Sequence, residues 1–259
     1  DFDHRSTKTK LLGEEVAMPL AISPTGLAGM QWANGEILAA QAAEEFGIPY
    51  TLSTMSICSI EDVAANTKKP FWFQLYVMKD REFIRDLIQR AKAAKCSALV
   101  LTLDLQILGQ RHKDIKNGLS VPPRMTLENI LDIMQKPGWA FRALAGRKTF
   151  GNLAGHIKGA DSNIKTLGQW SNRQFDPTLN WNDVAWIKEQ WGGKLILKGI
   201  LDAEDAKLAV KTGADAIIVS NHGGRQLDGA LSSIAALPSI VEAVGDQVEV
   251  YMDGGIRSG

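Results

Sequence analysis

Residues 195–225 read LILKGILDAEDAKLAVKTGADAIIVSNHGGR. Two short apolar runs, Leu195–Leu197 and Ala216–Val219, enclose a stretch that carries helix signals at both ends. Asp202 and two further acids lie where a helix N-terminus favours negative charge, and Lys211-Thr212-Gly213 ends the stretch with a base and a C-cap glycine. The order strand, helix, strand predicts a βαβ unit with parallel strands.

The same unit repeats along the chain. Its apolar runs are short, bounded by Gly, Pro, Ser or Asp, and not alternating, which is typical of strands buried on both faces. The seven predicted strands are Met18–Ile22, Tyr50–Ser53, Phe71–Val77, Ala98–Leu103, Leu195–Leu197, Ala216–Val219 and Val248–Met252. Between two of them, Phe83, Ile84, Leu87, Ile88 and Ala91 recur at helical spacing. The pattern predicts an α/β fold, a (β/α)8 TIM barrel.

About seven of the eight barrel strands are expected, and the missing one would follow Gly259. The chain begins at Asp1 without Met, so we interpret it as an internal piece of a longer protein, truncated at both ends. Residues 1–259 are expected to form a single barrel domain.

The composition excludes several classes. With 259 residues, 45% hydrophobic and 22% charged, the chain is an ordinary globular one. Its 29 Lys and Arg balance 29 Asp and Glu, so no global charge attracts nucleic acid. Cys58 and Cys96 are too few for a disulfide framework or a zinc site; we expect them buried and reduced, in a cytoplasmic protein without a metal. No apolar run approaches the roughly 20 residues of a membrane span.

One connection, at about residues 105–180, interrupts the rhythm. It contains two helical patterns, Met125–Met134 and Trp139–Leu144, and no convincing strand. Between Lys116 and Trp170 there are eight Lys or Arg and three acids, with aromatic residues interleaved. Two interpretations stay open: contact with a membrane surface, and a soluble lid over the barrel mouth.

Polar residues follow each predicted strand at the same end, where TIM barrels carry their active sites. Such groups are costly to bury unless they meet a ligand or one another. Seven strand ends that converge on one rim therefore predict a binding site there. The residues at these ends are Ser23-Pro24-Thr25-Gly26, Ser53-Thr54, Gln74 and Tyr76, Thr102 and Asp104, Lys198-Gly199, Ser220–Arg225, and Asp253–Arg257.

The chemistry of this rim can be partly inferred. His222 is a candidate base because its pKa can lie near neutrality, and Asp104 could hold it and stabilise its charge. Arg111 and Arg225 could together bind a small carboxylate. Lys198, at the end of a buried strand, requires an anion or a Schiff base.

The last strand end offers a phosphate site. Asp253-Gly254-Gly255 can present backbone N–H groups to a phosphate, and Arg257 adds charge. The sequence lacks G-x-G-x-x-G after a strand, a Walker lysine loop and H-E-x-x-H, which argues against a Rossmann nicotinamide site, nucleotide hydrolysis and that type of zinc protease.

These residues resemble the FMN-dependent 2-hydroxy acid dehydrogenase and oxidase family. Residues 220–228, SNHGGRQLD, match the family signature S-N-H-G-[GA]-R-Q-L-D, and Lys198-Gly199, residues 72–76 and residues 253–257 match in order. The resemblance covers essentially the whole chain and is weakest over Leu105–Gln174. Asn172–Trp191 is most similar to bacterial respiratory L-lactate dehydrogenases, which pass electrons to quinone at the inner membrane.

The resemblance implies roles for individual residues. His222, paired with Asp104, would take the hydroxyl or α-carbon proton of an L-2-hydroxy acid. Tyr76 would bind the substrate, and Arg111 and Arg225 its carboxylate. The residues implied to hold FMN are Pro24, Thr25, Gly26, Ser53, Gln74, Thr102, Lys198, Ser220, Asp253, Gly254, Gly255 and Arg257.

Two departures from the family are visible, one at the chain ends and one at residue 26. At the ends, an N-terminal tyrosine that normally meets the substrate is missing, and so is the last strand with its Gly-Arg phosphate contact. Gly26, where the oxidases usually have alanine, favours a non-oxygen electron acceptor such as a quinone. The resemblance also implies a homo-oligomer, a tetramer. The expected function is oxidation of L-lactate; the alternatives are a peroxide-forming oxidase, a Schiff-base aldolase using Lys198, and a non-enzymatic binding barrel.

Overall fold

The computed structural model describes residues 4–106, 109, 111–116, 126–154, 156 and 174–256. The strands are β1 (Thr9–Leu11), β2 (Glu14–Val16), β3 (Thr51–Ser53), β4 (Trp72–Tyr76), β5 (Ala98–Thr102), β6 (Lys194–Ile200), β7 (Ala216–Val219) and β8 (Glu249–Met252). The helices are α1 (Ala28–Gln31), α2 (Gly35–Phe46), α3 (Ile60–Asn66), α4 (Arg81–Ala93), α5 (His112–Lys116), α6 (Leu127–Met134), α7 (Pro137–Ala145), α8 (Trp181–Trp191), α9 (Ala203–Lys211) and α10 (Ser233–Val244).

Strands β3 to β8 form one parallel sheet in strictly sequential order. Helices separate consecutive strands, as parallel crossovers require. A doubly wound sheet reverses its strand order at a switch point, whereas this order never reverses. The predicted α/β barrel architecture is confirmed.

The prediction of a strand at Met18–Ile22 is wrong. Within it only Ile22 pairs, through a single parallel bridge to Tyr50. Pro19 lies within this short stretch and Pro24 follows it by two positions, and proline has no N–H to donate to a ladder. The chain therefore lies beside β3 at the expected place in the sheet without forming a regular strand.

The helix predictions are confirmed by the burial pattern of α4. Phe83, Ile84, Leu87, Ile88 and Ala91 are all completely buried. The Asp80 side chain caps this helix by accepting a hydrogen bond from the Phe83 N–H at 3.0 Å. In the same way Asp202 caps α9, accepting from Glu204 N at 2.8 Å.

Alternate residues of each strand belong to two different cores. The outward set packs under the helices; Phe73, Leu75, Leu99 and Leu101 are examples. Cys58 and Cys96 belong to this outer core as buried free thiols, as expected. Burial is the main cause that raises the pKa of each thiol to about 12. The inward set forms the second core, made of Trp72, Ala98, Val100, Ile196, Ala216 and Ile218.

A β-hairpin that the sequence analysis did not predict, β1–β2, packs onto the inward core. Leu11, Leu12 and Val16 lie in the same cluster as the inward strand residues, and each such burial contributes about 1.5–3 kcal/mol. The Glu249 carboxylate accepts hydrogen bonds from Leu12 N at 3.0 and 3.1 Å, and Lys194 Nζ donates to Leu12 O. Because Lys194 and Glu249 begin their strands, the hairpin covers the amino-terminal end of the sheet.

Helices α6 and α7 confirm the two helical patterns predicted in the long connection. Trp139 Nε1 donates a hydrogen bond to Gln31 O at 2.8 Å, which holds α7 against α1. The apolar side chains of α6 and α7 largely face outward. No helix in the described ranges is long and apolar enough to cross a bilayer.

Candidate active site

The predicted site residues on the strands share the inward direction. Gln74 follows Trp72 by two positions, Thr102 follows Val100 by two, and Lys198 follows Ile196 by two. Since side chains alternate along a strand, these polar groups stand directly above the inward apolar core. In the strand register Thr102 pairs with both Tyr76 and Lys198, whereas Gln74 lies opposite Val100 and reaches Thr102 through its side chain. The carboxyl end of the sheet therefore carries a polar layer and the amino end an apolar one.

A buried hydrogen-bond network joins three strands in this layer. Ser53 Oγ donates to Gln74 Oε1 at 3.2 Å, and Gln74 Nε2 donates to Thr102 Oγ1 at 3.0 Å. All three side chains are at most 3% exposed. Buried polar groups of this kind are retained when they bond to each other or to a ligand.

Lys198 is paired with an anion, as its buried position requires: the Asp253 carboxylate. Its Nζ lies 3.1 Å from Asp253 Oδ2 and 2.8 Å from Ser220 Oγ, and the residue is 5% exposed. Asp253 Oδ1 is buried and has no hydrogen-bond partner among the described residues. A lysine ammonium, a hydroxyl and a half-bonded carboxylate thus meet at the ends of β6, β7 and β8.

His222 and Asp104 form the predicted pair. His222 Nδ1 lies 2.9 Å from Asp104 Oδ1, and the two side chains are 15% and 13% exposed. Because Nδ1 is engaged by the carboxylate, Nε2 is the ring nitrogen available to a reactant. The backbone of His222 has a φ of +57°, a left-handed conformation that is strained for a non-glycine residue and frequent at functional sites.

Gly199 makes the position of Asp104 possible. The register between β6 and β7 shifts between Lys198 and Ile200, and Gly199 occupies this bulge with a φ of +101°. A Cβ on Gly199 would lie 2.8 Å from both Cβ and Cγ of Asp104. The Lys198-Gly199 pair therefore serves two purposes: one residue supplies charge, and the other leaves room for the carboxylate that holds His222.

Tyr76 lies within the same group of charges. Its pKa is raised to about 12, first by burial and then by the Asp104 carboxylate, while Arg111 and Arg225 act in the opposite direction. The phenol is therefore a neutral hydrogen-bond donor at ordinary pH. The Phe175 ring packs edge-on against Tyr76, with centroids 5.7 Å apart.

The two arginines come from loops that touch. Arg111 donates to Gln226 Oε1 at 3.4 Å. A Cβ on Gly109 would lie only 2.3 Å from the Arg225 carbonyl oxygen, so the backbones of the two loops are in contact. Two guanidinium groups, a phenol and an imidazole are thereby brought to one part of the rim, which suits a small carboxylate ligand.

The residues after Met18–Ile22 lie beside Ser53. A Cβ on Gly26 would be 3.3 Å from Met55 Cβ and 3.9 Å from Ser53 Oγ. Leu27 N donates to Met55 O at 3.0 Å, which ties the loop of Pro24, Thr25 and Gly26 to the end of β3.

The predicted phosphate loop is described only in part. Gly254 and Gly255 have φ values of +132° and +76° at the end of β8. Arg257 lies outside the described residues. Ser233, at the first turn of α10, was not predicted; its Oγ is buried without a hydrogen-bond partner in the described chain, 3.2 Å from where a Gly254 Cβ would lie.

The sequence analysis also missed three residues that support the loops or side chains of the site: Glu36, Asn152 and Phe175. Glu36 is completely buried, and its Oε1 accepts from Gly29 N at 2.8 Å and Ile57 N at 2.9 Å. A polar residue within a helical or loop pattern carries no local signal of such long-range bonding.

With this geometry in place, the class is clear: the chain belongs to the FMN-dependent dehydrogenase family, whose match covers residues 1–259. It is 47% identical, over 261 residues, to an L-lactate dehydrogenase of Vibrio cholerae serotype O1 (strain M66-2), covering all of this chain and 68% of that protein. Among solved structures, the monotopic membrane protein (S)-mandelate dehydrogenase is 37% identical with a TM-score of 0.92, over 99% of this chain and 68% of that one. A mandelate oxidase variant with a C4a-OH-FMN adduct is 34% identical with a TM-score of 0.76, over 100% and 65%.

The residues present fit FMN, the cofactor of this family. A flavin ring has a polar edge of carbonyl and N–H groups, which the buried Ser53, Gln74 and Thr102 network can match. Two buried polar atoms without partners among the described residues, Asp253 Oδ1 and Ser233 Oγ, suit the hydroxyl groups of a ribityl chain. The Lys198 ammonium would suit a ring that becomes anionic on reduction.

Proposed function

We propose that this enzyme oxidises an L-2-hydroxy acid, L-lactate by preference, to the 2-oxo acid. One observation carries the proposal: the His222–Asp104 pair, at 2.9 Å, lies beside Tyr76, with Arg225 on the loop of His222 and Arg111 on the loop that follows Asp104. A base next to a carboxylate-binding group is what oxidation at the carbon adjacent to a carboxylate requires. The L-lactate dehydrogenases at 45–48% identity support the choice of substrate.

In the proposed mechanism, Arg111, Arg225 and the Tyr76 hydroxyl hold the substrate carboxylate. His222 Nε2 takes a proton from the substrate, from the hydroxyl or the α-carbon, and Asp104 stabilises the resulting imidazolium. Oxidation removes two electrons and two protons from the hydroxy acid; His222 takes one proton, and FMN, when bound, would accept both electrons together with the second proton. The paired carboxylate also fixes the ring so that Nε2 faces the substrate.

We propose that the polar layer holds FMN. Pro24, Thr25 and Gly26, with Ser53, Gln74 and Thr102, would contact the ring. Lys198 would lie near its N1 and O2 edge, and Ser220 would bond to the cofactor. Asp253, Gly254, Gly255 and Arg257 would take the ribityl and phosphate part. These roles fit a single barrel domain over residues 1–259 in which residues 105–180 form an insertion.

We propose a quinone, or another non-oxygen acceptor, for the second half-reaction. Gly26 lacks the methyl group that the oxidases usually carry at this position beside Ser53, and curated relatives at 45–48% identity are called dehydrogenases. The alternative is an oxidase that forms hydrogen peroxide, for which the mandelate oxidase neighbours are a precedent. A homo-oligomer, a tetramer by family resemblance, is part of the same proposal.

We also propose peripheral contact with the cytoplasmic face of the inner membrane through α6 and α7. Their exposed apolar side chains include Leu127 at 82%, Met134 at 71%, Phe141 at 74% and Leu144 at 68% exposure. Two bases belong to the same helix, Lys136 at its N-cap, where it pairs with Asp132, and Arg142 in its last turn, and bases near an apolar surface favour an anionic lipid interface. A dehydrogenase neighbour is itself a monotopic membrane protein.

The test of the membrane contact is co-sedimentation with anionic vesicles at low and high salt. Phe141→Ser with Leu144→Ser should reduce binding at least about tenfold, because two apolar side chains no longer enter the interface. Leu227→Ser is the matched control, since Leu227 is an equally exposed leucine (68%) elsewhere. Equal binding of both variants, or none by the unmodified chain, would leave the lid interpretation.

The test of the activity is a flavin spectrum of the purified protein followed by anaerobic bleaching. L-lactate should bleach the flavin absorbance and D-lactate should not; glycolate and L-mandelate measure the breadth of the substrate pocket. Reoxidation by a soluble quinone faster than by oxygen supports the dehydrogenase, and stoichiometric peroxide supports the oxidase. A yellow protein that no L-2-hydroxy acid bleaches would refute the proposal.

A further inference from the structure

A tight turn at Phe150–Ala154 inserts the long connection into the protein interior. Phe150 and Leu153 are 1% and 0% exposed and belong to the outer core. Leu153 N and Ala154 N both donate to Phe150 O, at 3.1 and 2.9 Å. A Cβ on Gly151 would lie 2.5 Å from Ser59 N, so only glycine allows this close approach.

Asn152, at the tip of this turn, uses both ends of its amide. Its Oδ1 accepts from Ile60 N at 2.9 Å, at the start of α3. Its Nδ2 lies within hydrogen-bond distance of three acceptors: Ser53 O at 3.2 Å, Thr54 O at 3.4 Å and Ser56 Oγ at 3.0 Å. The side chain is completely buried. One amide therefore bridges the beginning of a helix and the segment that leaves β3.

That segment, residues 53–56, is called here the cofactor loop. The Ser53 hydroxyl belongs to the network with Gln74 and Thr102. Met55 O receives the Leu27 N–H, and the Met55 side chain lies against Gly26. The cofactor loop thus holds one proposed FMN contact, Ser53, and supports another, Gly26.

The Phe150–Ala154 turn is also bonded to the helices that surround the sheet. Arg90 NH1 donates to the Asn152 carbonyl oxygen at 3.0 Å, while Nε and NH2 of Arg90 grip the Glu61 carboxylate at 2.8 and 2.9 Å. Because α3 and α4 supply Glu61 and Arg90, the turn is fixed to the helical layer as well as to the cofactor loop. Asn152 is consequently held in place from both sides.

We propose that Asn152 is a positioning residue for the cofactor: through its Nδ2 it sets the conformation of the cofactor loop and so determines FMN affinity. The proposal rests on the FMN site of the proposed function. Any buried asparagine must satisfy both ends of its amide, so the partners that Nδ2 has are what distinguish a positioning role. The Nδ2 group instead serves the backbone of the very residue, Ser53, whose hydroxyl faces the cofactor layer.

The test compares Asn152→Ala with Asn180→Ala. Asn180 is the matched control because it caps α8, accepting from Asn182 N at 2.9 Å and donating to Thr178 O at 3.2 Å. Both apo-variants should show a lower Tm. Only Asn152→Ala should weaken the FMN Kd, by about tenfold or more, since Ser53 O and Thr54 O lose a buried donor. The circular dichroism of the bound flavin should change in the same variant alone.

Hydrogen–deuterium exchange of the unmodified protein provides a second measurement that does not depend on a variant's folding. If Asn152 and the cofactor are coupled, FMN must protect the amides of residues 151–154, because coupling between two sites is reciprocal. The amides of residues 180–183 should not respond. Either of two results would overturn the proposal: an Asn152→Ala variant with an unchanged FMN Kd, or amide exchange rates at residues 151–154 that are the same with and without FMN. An unmodified chain without FMN affinity would instead overturn the cofactor site itself.

Discussion

Replacing Asp104 by Asn tests the charge that the proposed mechanism places behind His222. The carboxylate lies 2.9 Å from His222 Nδ1, and its second oxygen, Oδ2, is buried without a hydrogen-bond partner in the described part of the chain. An asparagine of the same shape still accepts a hydrogen bond through its Oδ1. The substitution therefore removes the negative charge and keeps the packing against Gly199.

The expected loss in the rate of flavin reduction follows from the distance and burial of the Asp104–His222 pair. Two unit charges about 4 Å apart interact by about 4 kcal/mol at an effective dielectric constant of about 20. The side chains of Asp104 and His222 are 13% and 15% exposed, so water screens part of this energy. We take about 2–3 kcal/mol as lost when His222 becomes an imidazolium. At about 1.4 kcal/mol per factor of ten, reduction of the flavin should slow by about 30- to 150-fold.

The assay is stopped-flow bleaching of the flavin by L-lactate without oxygen. Asp80→Asn is the matched control, since Asp80 Oδ2 lies 3.0 Å from His156 Nε2 in a second Asp–His pair outside the proposed catalytic group. The control should lose some stability and reduce its flavin at close to the unmodified rate. If Asp104→Asn reduces its flavin as fast as the control does, the carboxylate does not stabilise charge on His222.

Three further predictions concern the proton, the carboxylate and acid stability. His222→Ala should keep a yellow flavin and slow its reduction by about 10²–10⁴-fold, the usual loss for a general base; an unchanged rate removes His222 from the mechanism. Arg225→Lys and Arg111→Lys keep the positive charge but lose the planar guanidinium fork, so each variant should bind oxalate more weakly. If both variants bind oxalate as tightly as the unmodified protein, the carboxylate is bound by other residues. The hydrogen bond from Arg90 lowers the pKa of Glu61 to about 2, so this pair stabilises the fold above pH 4.5 and the contribution disappears as the pH falls towards 2. Because Glu61 is 55% exposed, the loss is at most about 1 kcal/mol, and urea unfolding of Glu61→Gln should depend less on pH in that window.

The sequence predicted the barrel because burial on both faces leaves a strong local signal. The runs at Ala98–Leu103 and Ala216–Val219 are apolar at every or nearly every position, and both are strands. Helix α4 shows its buried stripe directly in its spacing. In each case the residues that decide the structure are neighbours in the chain, so the pattern can be recognised without knowledge of the fold.

Features that depend on distant partners were not predicted. The hairpin β1–β2 has only three residues per strand, and its burial depends on Glu249 and Lys194, more than 180 positions away. Met18–Ile22 shows the opposite error: it was predicted as a strand from its apolar composition, yet Pro19 within it and Pro24 after it remove ladder donors. Leu20 is 50% exposed and Ile22 only partly buried, so in this stretch the local composition predicted neither the burial nor the hydrogen-bond pairing.

The candidate site was accessible from the sequence because of strand polarity. Parallel strands bring all their carboxyl ends to one edge, so residues that follow different strands meet there even when they are far apart in the chain. This reasoning placed His222 with Asp104 although 118 positions separate them. It could not find Asn152, which lies on no strand and acts on the backbone of the cofactor loop.

The division of the sheet into an apolar and a polar end follows from side-chain alternation along each strand. On β4, Trp72 and Gln74 face the same way, and only their height differs; the hairpin covers the level of Trp72 and the proposed ligands meet the level of Gln74. If the register of β4 slipped by one residue, Phe73 would point towards the site and Gln74 towards the helical layer. The apolar core below therefore fixes the strand register that orients the polar groups above it. For the same reason a substitution at Trp72 that allowed β4 to slip would disturb the site without touching it.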